Sequence, residues 1–252
     1  MNRISFAAAA VIAFFGATAA QAAEIKVLTA GAFKPIVTAV VPEFERESGH
    51  KVVVDNDTVG GLLRRVSAGE SFDVIVATPA ALDALTKDGK LTAASATRVA
   101  RVGIGVAIKD GANTPDVSTV ESFKNALLSA RAVAYIDPAA GGSSGIYFSQ
   151  WLEKAGIAEQ VRAKAVLVPG GLVAQRLLNG QADIAIHQIS EILAVPGAKL
   201  VGPIPREIQN FTVYSGGIHA SPRNPDAAKA FLAVLTSSKT QAVLRDKGME
   251  TP

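Results

Sequence analysis

The sequence predicts an α/β protein of two lobes, each built on a doubly wound sheet, with a two-strand hinge between the lobes. Short runs rich in β-branched residues alternate with longer segments of helical periodicity, and this alternation occurs twice along the chain. Such alternation is typical of parallel βαβ units. Two extended segments, Arg98–Lys109 and Phe211–Ala220, separate and follow the two series. We expect them to be the strands that cross between the lobes.

The first series lies directly after Glu24. Its strands are predicted from short apolar runs at Ile25–Thr29, Lys51–Asp55 and Asp73–Val76. Its helices are predicted from apolar periodicity at Ile36–Glu47, Leu62–Ala68 and Ala80–Leu85. In the first of these helices, the buried face is predicted to hold Ile36, Val40, Val41 and Phe44.

The second series has the same character. Its strands are predicted at Ala132–Ile136, Ala165–Val168 and Asp183–Ile186, and its helices at Ser144–Ala155 and Val173–Leu178. Two closing helices, Asn224–Leu235 and Lys239–Lys247, are expected to return to the first lobe. The first lobe would then comprise residues 24–104 and 214–252, and the second lobe residues 105–213.

The first 22 residues are predicted to be a cleaved signal peptide. Arg3 gives a positive start, Ile4 to Ala20 is apolar, and Ala20-Gln21-Ala22 supplies the small-x-small cleavage pattern. The alternative is a membrane anchor, but the apolar run is barely as long as the ~20 residues that a bilayer requires. We therefore expect a periplasmic protein. The absence of cysteine from the sequence excludes a lipid anchor and disulfides.

Composition narrows the range of functions. The 252 residues carry 25 Lys plus Arg against 22 Asp plus Glu, with only 6% aromatic residues and no basic run, so nucleic acid is not an expected partner. The sequence shows no Walker-type phosphate loop, no serine–histidine–acid arrangement and no metal-spaced histidine cluster. It therefore predicts neither a metal site nor a cofactor.

Four junctions between a predicted strand and the following helix are rich in small residues. The candidate ligand contacts at these junctions are Gly31, Ala32 and Phe33; Thr58, Val59 and Gly60; Gly141, Ser143 and Ser144; and Gly170 and Gly171. In open α/β sheets the ligand lies beyond the carboxyl ends of the strands, where N–H groups at helix starts favour an anion. The alternative is that each glycine only makes its turn. Four such junctions together predict a small anionic ligand.

Charged and aromatic candidates accompany these junctions. Lys34 follows the first junction and is a candidate ligand contact, although it could equally be an ordinary exposed lysine. Phe33 could either pack in the core or wall the pocket. Of Arg64 and Arg65, at most one can face the cleft, because neighbouring helix positions point in different directions.

The stretch from Ile25 through Leu62, the segment Ser71–Ala77 and the segment Gly180–Ile186 resemble the molybdate-binding proteins of ABC transporters and their type II periplasmic-binding relatives. The resemblance implies two α/β lobes, a ligand in the interlobe cleft, closure about a hinge and delivery to a membrane permease. We expect the protein to act as a monomer.

Three departures point away from molybdate itself. The first loop, Gly31-Ala32-Phe33-Lys34, lacks the family's hydroxyl, and the second reads Thr58-Val59-Gly60 in place of serine-serine-glycine. Where the family has a ligand tyrosine after the second-lobe strand, this chain has Gln188.

A subgroup gives a second resemblance. The segments Gln188–Ile192, Val195–Gly197 and Tyr214–Gly216 resemble periplasmic aconitate isomerases. A transport receptor would use Gln188 and Ser190 as ligand contacts and needs no base. An isomerase needs a proton-transfer group, for which His187 and Glu191 are the candidates. Alternatively, His187 faces the lobe or solvent, and Glu191 caps a helix or pairs with a surface lysine.

Overall fold

The computed structural model describes residues 22–252. Residues 1–21, which hold the predicted signal peptide up to Gln21, lie outside this range. Within residues 22–252, no helix is long and apolar enough to cross a membrane.

Nine strands and ten α-helices alternate along residues 24–246. The strands are β1 (Glu24–Ala30), β2 (Lys51–Asp57), β3 (Val74–Ala77), β4 (Thr97–Lys109), β5 (Val133–Ile136), β6 (Ala165–Val168), β7 (Ile184–Gln188), β8 (Ala198–Pro203) and β9 (Phe211–Ile218). The helices are α1 (Lys34–Ser48), α2 (Val59–Ser67), α3 (Pro79–Lys87), α4 (Val120–Ser129), α5 (Ser143–Lys154), α6 (Ala158–Arg162), α7 (Gln175–Leu178), α8 (Ile189–Leu193), α9 (Pro225–Leu235) and α10 (Ser238–Asp246).

The two predicted sheets are halves of one hydrogen-bonded sheet with the order β2-β1-β3-β9-β4-β7-β5-β6, with β8 also paired to β4. The pairs β2–β1–β3 and β6–β5–β7 are parallel, whereas β4 and β9 run antiparallel to their neighbours. We call β2, β1, β3, β9 and the start of β4 the first half-sheet. The end of β4 with β7, β5, β6 and β8 is the second half-sheet.

Strand β4 joins the halves because it changes partner midway. Gly103 pairs with Phe211 on β9, and the next residue, Ile104, pairs with Gln188 on β7. Because β4 belongs to both half-sheets, it connects the two lobes directly.

Helix α1 shows how local sequence sets an element. Pro35 lies in its first turn, where a missing N–H is tolerated, and Gly49 (φ 74°) ends it in the left-handed conformation. Its buried face holds Ile36, Val37, Val40 and Phe44. Val37 takes the place predicted for Val41, which is only partly buried.

The two closing helices pack on α1. Phe231 of α9 meets Phe44 edge to face with ring centroids 5.1 Å apart, and Leu244 of α10 joins the same apolar cluster. Such aromatic pairs add about 0.5–1.5 kcal/mol beyond the area that they bury. The end of the chain therefore completes the first half of the molecule.

Several boundaries differ from the predictions. Helix α2 begins at Val59 rather than Leu62, because the Thr58 hydroxyl accepts a hydrogen bond from the Gly61 N–H and caps the helix. Helix α7 begins at Gln175 rather than Val173. Four elements were not predicted: α4, α6, α8 and β8.

Candidate functional site

A small cavity lies between the two half-sheets, at the carboxyl ends of β1, β2, β5 and β7. Its volume is about 40 Å³. Since a water molecule needs ~10–15 Å³ on this measure, the cavity has room for one small chemical group such as a carboxylate. Its position is the one at which open α/β sheets bind ligands.

Direct hydrogen bonds close one side of the cavity. The Gly60 N–H donates to the Gly141 carbonyl at 3.1 Å, and the Thr58 hydroxyl donates to the Ala140 carbonyl at 2.5 Å. The backbones approach so closely that a Cβ on Gly60 would lie 2.8 Å from Gly141 Cα. Both glycines are therefore required by the contact between the lobes, in addition to any turn that they make.

The start of α5 faces this cavity through Ser143 and Ser144. Their backbone N–H groups make no hydrogen bond with any residue from 22 to 252. Unpaired N–H groups in the first turn of a twelve-residue helix, together with the helix dipole, favour a negatively charged ligand.

A buried histidine–glutamate pair forms another wall. His187, at the end of β7, and Glu191, on α8, are 1% and 7% exposed, and His187 Nε2 lies 3.1 Å from Glu191 Oε2. Gly31 lies against this pair, and a Cβ there would lie 2.7 Å from Glu191 Oε1, so a larger residue would displace the carboxyl. His187 thus faces the interior rather than solvent, and Glu191 pairs with His187 rather than with a surface lysine.

Burial decides the charge of this pair. It raises the pKa of Glu191 to about 8 and lowers the pKa of His187 to about 3. Both groups are therefore neutral at pH 7, and the carboxyl O–H donates to Nε2. The remaining ring proton is then on Nδ1, which has no hydrogen-bond partner within the described residues.

Two further polar side chains complete the interior. The Gln188 amide donates from Nε2 to the Thr212 hydroxyl at 2.8 Å, while its Oε1 is buried and has no partner within residues 22–252. Tyr214, on β9, lines the cavity, and burial together with the Glu191 carboxyl raises the pKa of its phenol. Buried polar atoms without partners are uncommon in proteins, and here two of them belong to cavity-lining residues.

The structure brings most of the predicted residues together at the cavity. Its lining includes Gly31, Ala32, Thr58, Val59, Ser143, Ser144, Gly171, Gln188, His187 and Glu191.

The other predicted residues lie elsewhere. Phe33 is a core residue whose ring packs near Tyr214, and Ser190 is buried with its hydroxyl donating to the Ala32 carbonyl. Lys34 is exposed beside a neighbouring cavity. Gly170 lies outside the lining, and Gly60 and Gly141 contact each other.

Six lining residues are not among the predicted ligand contacts: Ala30, Asn56, Asp57, Ile136, Gly142 and Tyr214. Asp57 is the most consequential, because it adds a second carboxyl to the cavity wall; its Oδ2 lies 3.8 Å from Arg65 Nη1. The prediction ended β2 at Asp55, whereas pairing with Ala30 extends it to Asp57. The sequence signal was the pair Asn56-Asp57, two polar residues between the predicted strand and Thr58 that were assigned to no element.

Comparisons with known proteins agree with this geometry. Residues 25–250 match the family model described as bacterial extracellular solute-binding protein. The chain is 32% identical over 232 residues to an aconitate isomerase of Pseudomonas sp., covering 90% of this chain and 87% of the relative. It is 27% identical over 243 residues to the molybdate-binding protein ModA of Azotobacter vinelandii, covering 92% of each.

A solved structure confirms the fold. The periplasmic molybdate-binding protein of Azotobacter vinelandii superimposes with a TM-score of 0.77 at 20% identity, covering 90% of this chain and 99% of that one. The resemblance and the two-lobed fold class predicted from the sequence are therefore confirmed.

Proposed function

The chain belongs to the family of bacterial extracellular solute-binding proteins, and on that premise we propose that it captures a small carboxylate anion in the cavity between its lobes. The observation that carries the proposal is the unpaired first turn of α5 at Ser143 and Ser144, which faces a cavity walled by both lobes. The proposal includes capture of the anion in the periplasm and its delivery to an ABC-type permease.

The chemistry of the walls favours a carboxylate over a tetrahedral oxyanion. Glu191 is a neutral carboxyl at pH 7, so it places no negative charge beside a bound anion. Asp57 adds a second acid, which disfavours a compact dianion through like-charge repulsion. At the first loop, Gly31 and Ala32 offer no side-chain hydroxyl.

A specific observation favours a second candidate, isomerisation of a small polycarboxylate. A receptor has no need of a buried pair that can exchange protons, yet His187 and Glu191 form one in the cavity wall. Glu191 Oε1 would take a proton from a substrate carbon next to a carboxylate while the proton on Oε2 passes to His187 Nε2. Reversing both transfers at another carbon returns the proton and moves the double bond.

The remaining groups would serve the same reaction. Removal of the proton leaves negative charge on the substrate carboxylate, which the N–H groups of Ser143 and Ser144 would stabilise. The relative named aconitate isomerase makes cis- and trans-aconitate the first substrates to test.

Proton NMR separates the two candidates. The purified protein is incubated with trans-aconitate, and appearance of the cis isomer supports isomerisation, whereas stable binding without conversion supports the receptor. Glu191→Gln should abolish conversion, and Glu121→Gln, an exposed glutamate on α4, is the matched control.

Thermal shift tests the class of anion. Trans-aconitate, citrate, molybdate and sulfate are compared, since a ligand at 100 times its Kd adds ~2.7 kcal/mol to the free energy of unfolding. Stabilisation by molybdate or sulfate but by no carboxylate would contradict the proposal.

A further inference from the structure

A second, larger cavity opens beside the first. Its volume is about 410 Å³, against about 40 Å³ for the inner cavity. The two cavities share four lining residues: Gly31, Asn56, Gly171 and Glu191. They are therefore adjacent spaces bounded in part by the same residues, and we call the larger one the outer chamber.

The outer chamber has the cationic groups that the inner cavity lacks. Lys34, at the start of α1, and Lys247, directly after α10, both line it. Neither lysine lies within 4 Å of an acidic group among residues 22–252. Two positive side chains without acidic partners, beside the Thr38 hydroxyl and the Asn56 amide, favour an anionic group.

The volumes of the two cavities and the charges that line them suit two different parts of one ligand. The inner cavity accommodates one carboxylate group, which the start of α5 favours. The atoms that follow have no room there and would extend past Glu191 into the outer chamber. On the basis of the proposed function, we propose that the outer chamber binds a second carboxylate of the same ligand through Lys34 and Lys247, so that the ligand is an elongated di- or tricarboxylate.

The proposal assigns a role to the end of the chain. Gly248 packs so closely on α8 that a Cβ there would lie 2.7 Å from Ile189 Cγ2 and 2.8 Å from Leu193 Cδ1. This contact places Lys247 beside the helix that carries Glu191. The residue that follows the closing helix α10 thus contributes a binding group to the ligand site, while α10 itself packs on α1.

The test uses paired ligands and paired variants. Crotonate and fumarate differ only in that a methyl group of crotonate is a second carboxylate in fumarate, and trans-aconitate adds a third. Affinities are measured calorimetrically for the wild type, Lys34→Met, Lys247→Met and the control Lys87→Met. Lys87 is an exposed lysine on α3 that lines neither cavity.

Each of the two chamber substitutions should weaken fumarate and trans-aconitate binding about fivefold, the effect of a partly exposed ion pair. Crotonate binding should change less than about twofold, and Lys87→Met should change none of the three.

Wild-type affinity for fumarate and trans-aconitate in both lysine variants overturns the chamber assignment while leaving carboxylate capture intact. If the lysine variants bind crotonate as much more weakly as they bind fumarate, the assignment is also overturned, because the lysines would then act on any anion through their general positive potential. If the wild type binds none of the three carboxylates, the chamber assignment and the proposed function both fail.

Discussion

Replacing Glu191 by glutamine should remove one pH dependence from the stability of the protein. Glutamine keeps the volume of the side chain and cannot ionise. The wild-type carboxyl has a pKa of about 8 in the folded state, against 4.5 in the unfolded chain. The folded state therefore holds a proton that the unfolded state releases, and this group lowers the stability as the pH rises from 4.5 to 8.

His187 acts in the opposite direction over a lower range. Its pKa is about 3 when folded against 6.5 when unfolded, so stability is lost as the pH falls below 6.5. Between pH 4.5 and 6.5 the two effects oppose each other. Between pH 6.5 and 8 the effect of Glu191 is the larger, with a slope of at most about 1.4 kcal/mol per pH unit, and the remaining protonation of His187 in the unfolded chain offsets a part of it. The free energy of unfolding of the wild type should therefore fall by about 1 kcal/mol over that interval.

Urea unfolding at steps of half a pH unit from pH 5 to 8 measures how the free energy of unfolding depends on pH. The free energy of unfolding of Glu191→Gln should not fall between pH 6.5 and 8, whereas that of the exposed control Glu121→Gln should fall as in the wild type. A wild type whose free energy of unfolding is constant over this interval would refute the neutral state assigned to Glu191. So would a glutamine variant that retains the decline.

Two glycine substitutions test the geometry of the site. Gly31→Ala places a Cβ 2.7 Å from Glu191 Oε1, so the displaced carboxyl should fill the cavity and abolish ligand stabilisation in thermal shift, with a loss of about 1–3 kcal/mol in unfolding free energy. Gly60→Ala places a Cβ 2.8 Å from Gly141 Cα and should prevent full closure, so that X-ray scattering detects no ligand-induced compaction while the free energy of unfolding changes little. Gly170→Ala is the control for both, because no atom lies within 4 Å of a Cβ at that position, and wild-type behaviour of either test variant would contradict the corresponding contact.

The fold could be predicted from the sequence because its longer elements carry strong periodic signals. Helix α1 and strand β4 were located to within a few residues. Helix α8, with five residues, is too short to show a helical period, and its position depends on contacts with β4 and β8. Strand β8 is an edge strand with no fully buried residue, so little in its sequence distinguishes it from a loop.

The site was predicted less completely for a related reason. His187 and Glu191 are four residues apart, but His187 belongs to a strand and Glu191 to a helix, so helical spacing does not predict their contact. Only the tertiary packing of α8 brings them together. Tyr214 enters from β9, far along the chain, and its burial against Phe33 depends on the whole first half-sheet.

The insertion of β9 between β3 and β4 has a consequence for the order of folding. Every strand of the second half-sheet comes from residues 104–203, a continuous stretch that is complete well before the chain ends. The first half-sheet needs residues 211–218, and its core also needs α9 and α10. Long-range pairings form slowly because distant segments must first meet. During synthesis, the half of the protein that begins first is therefore the half that finishes last.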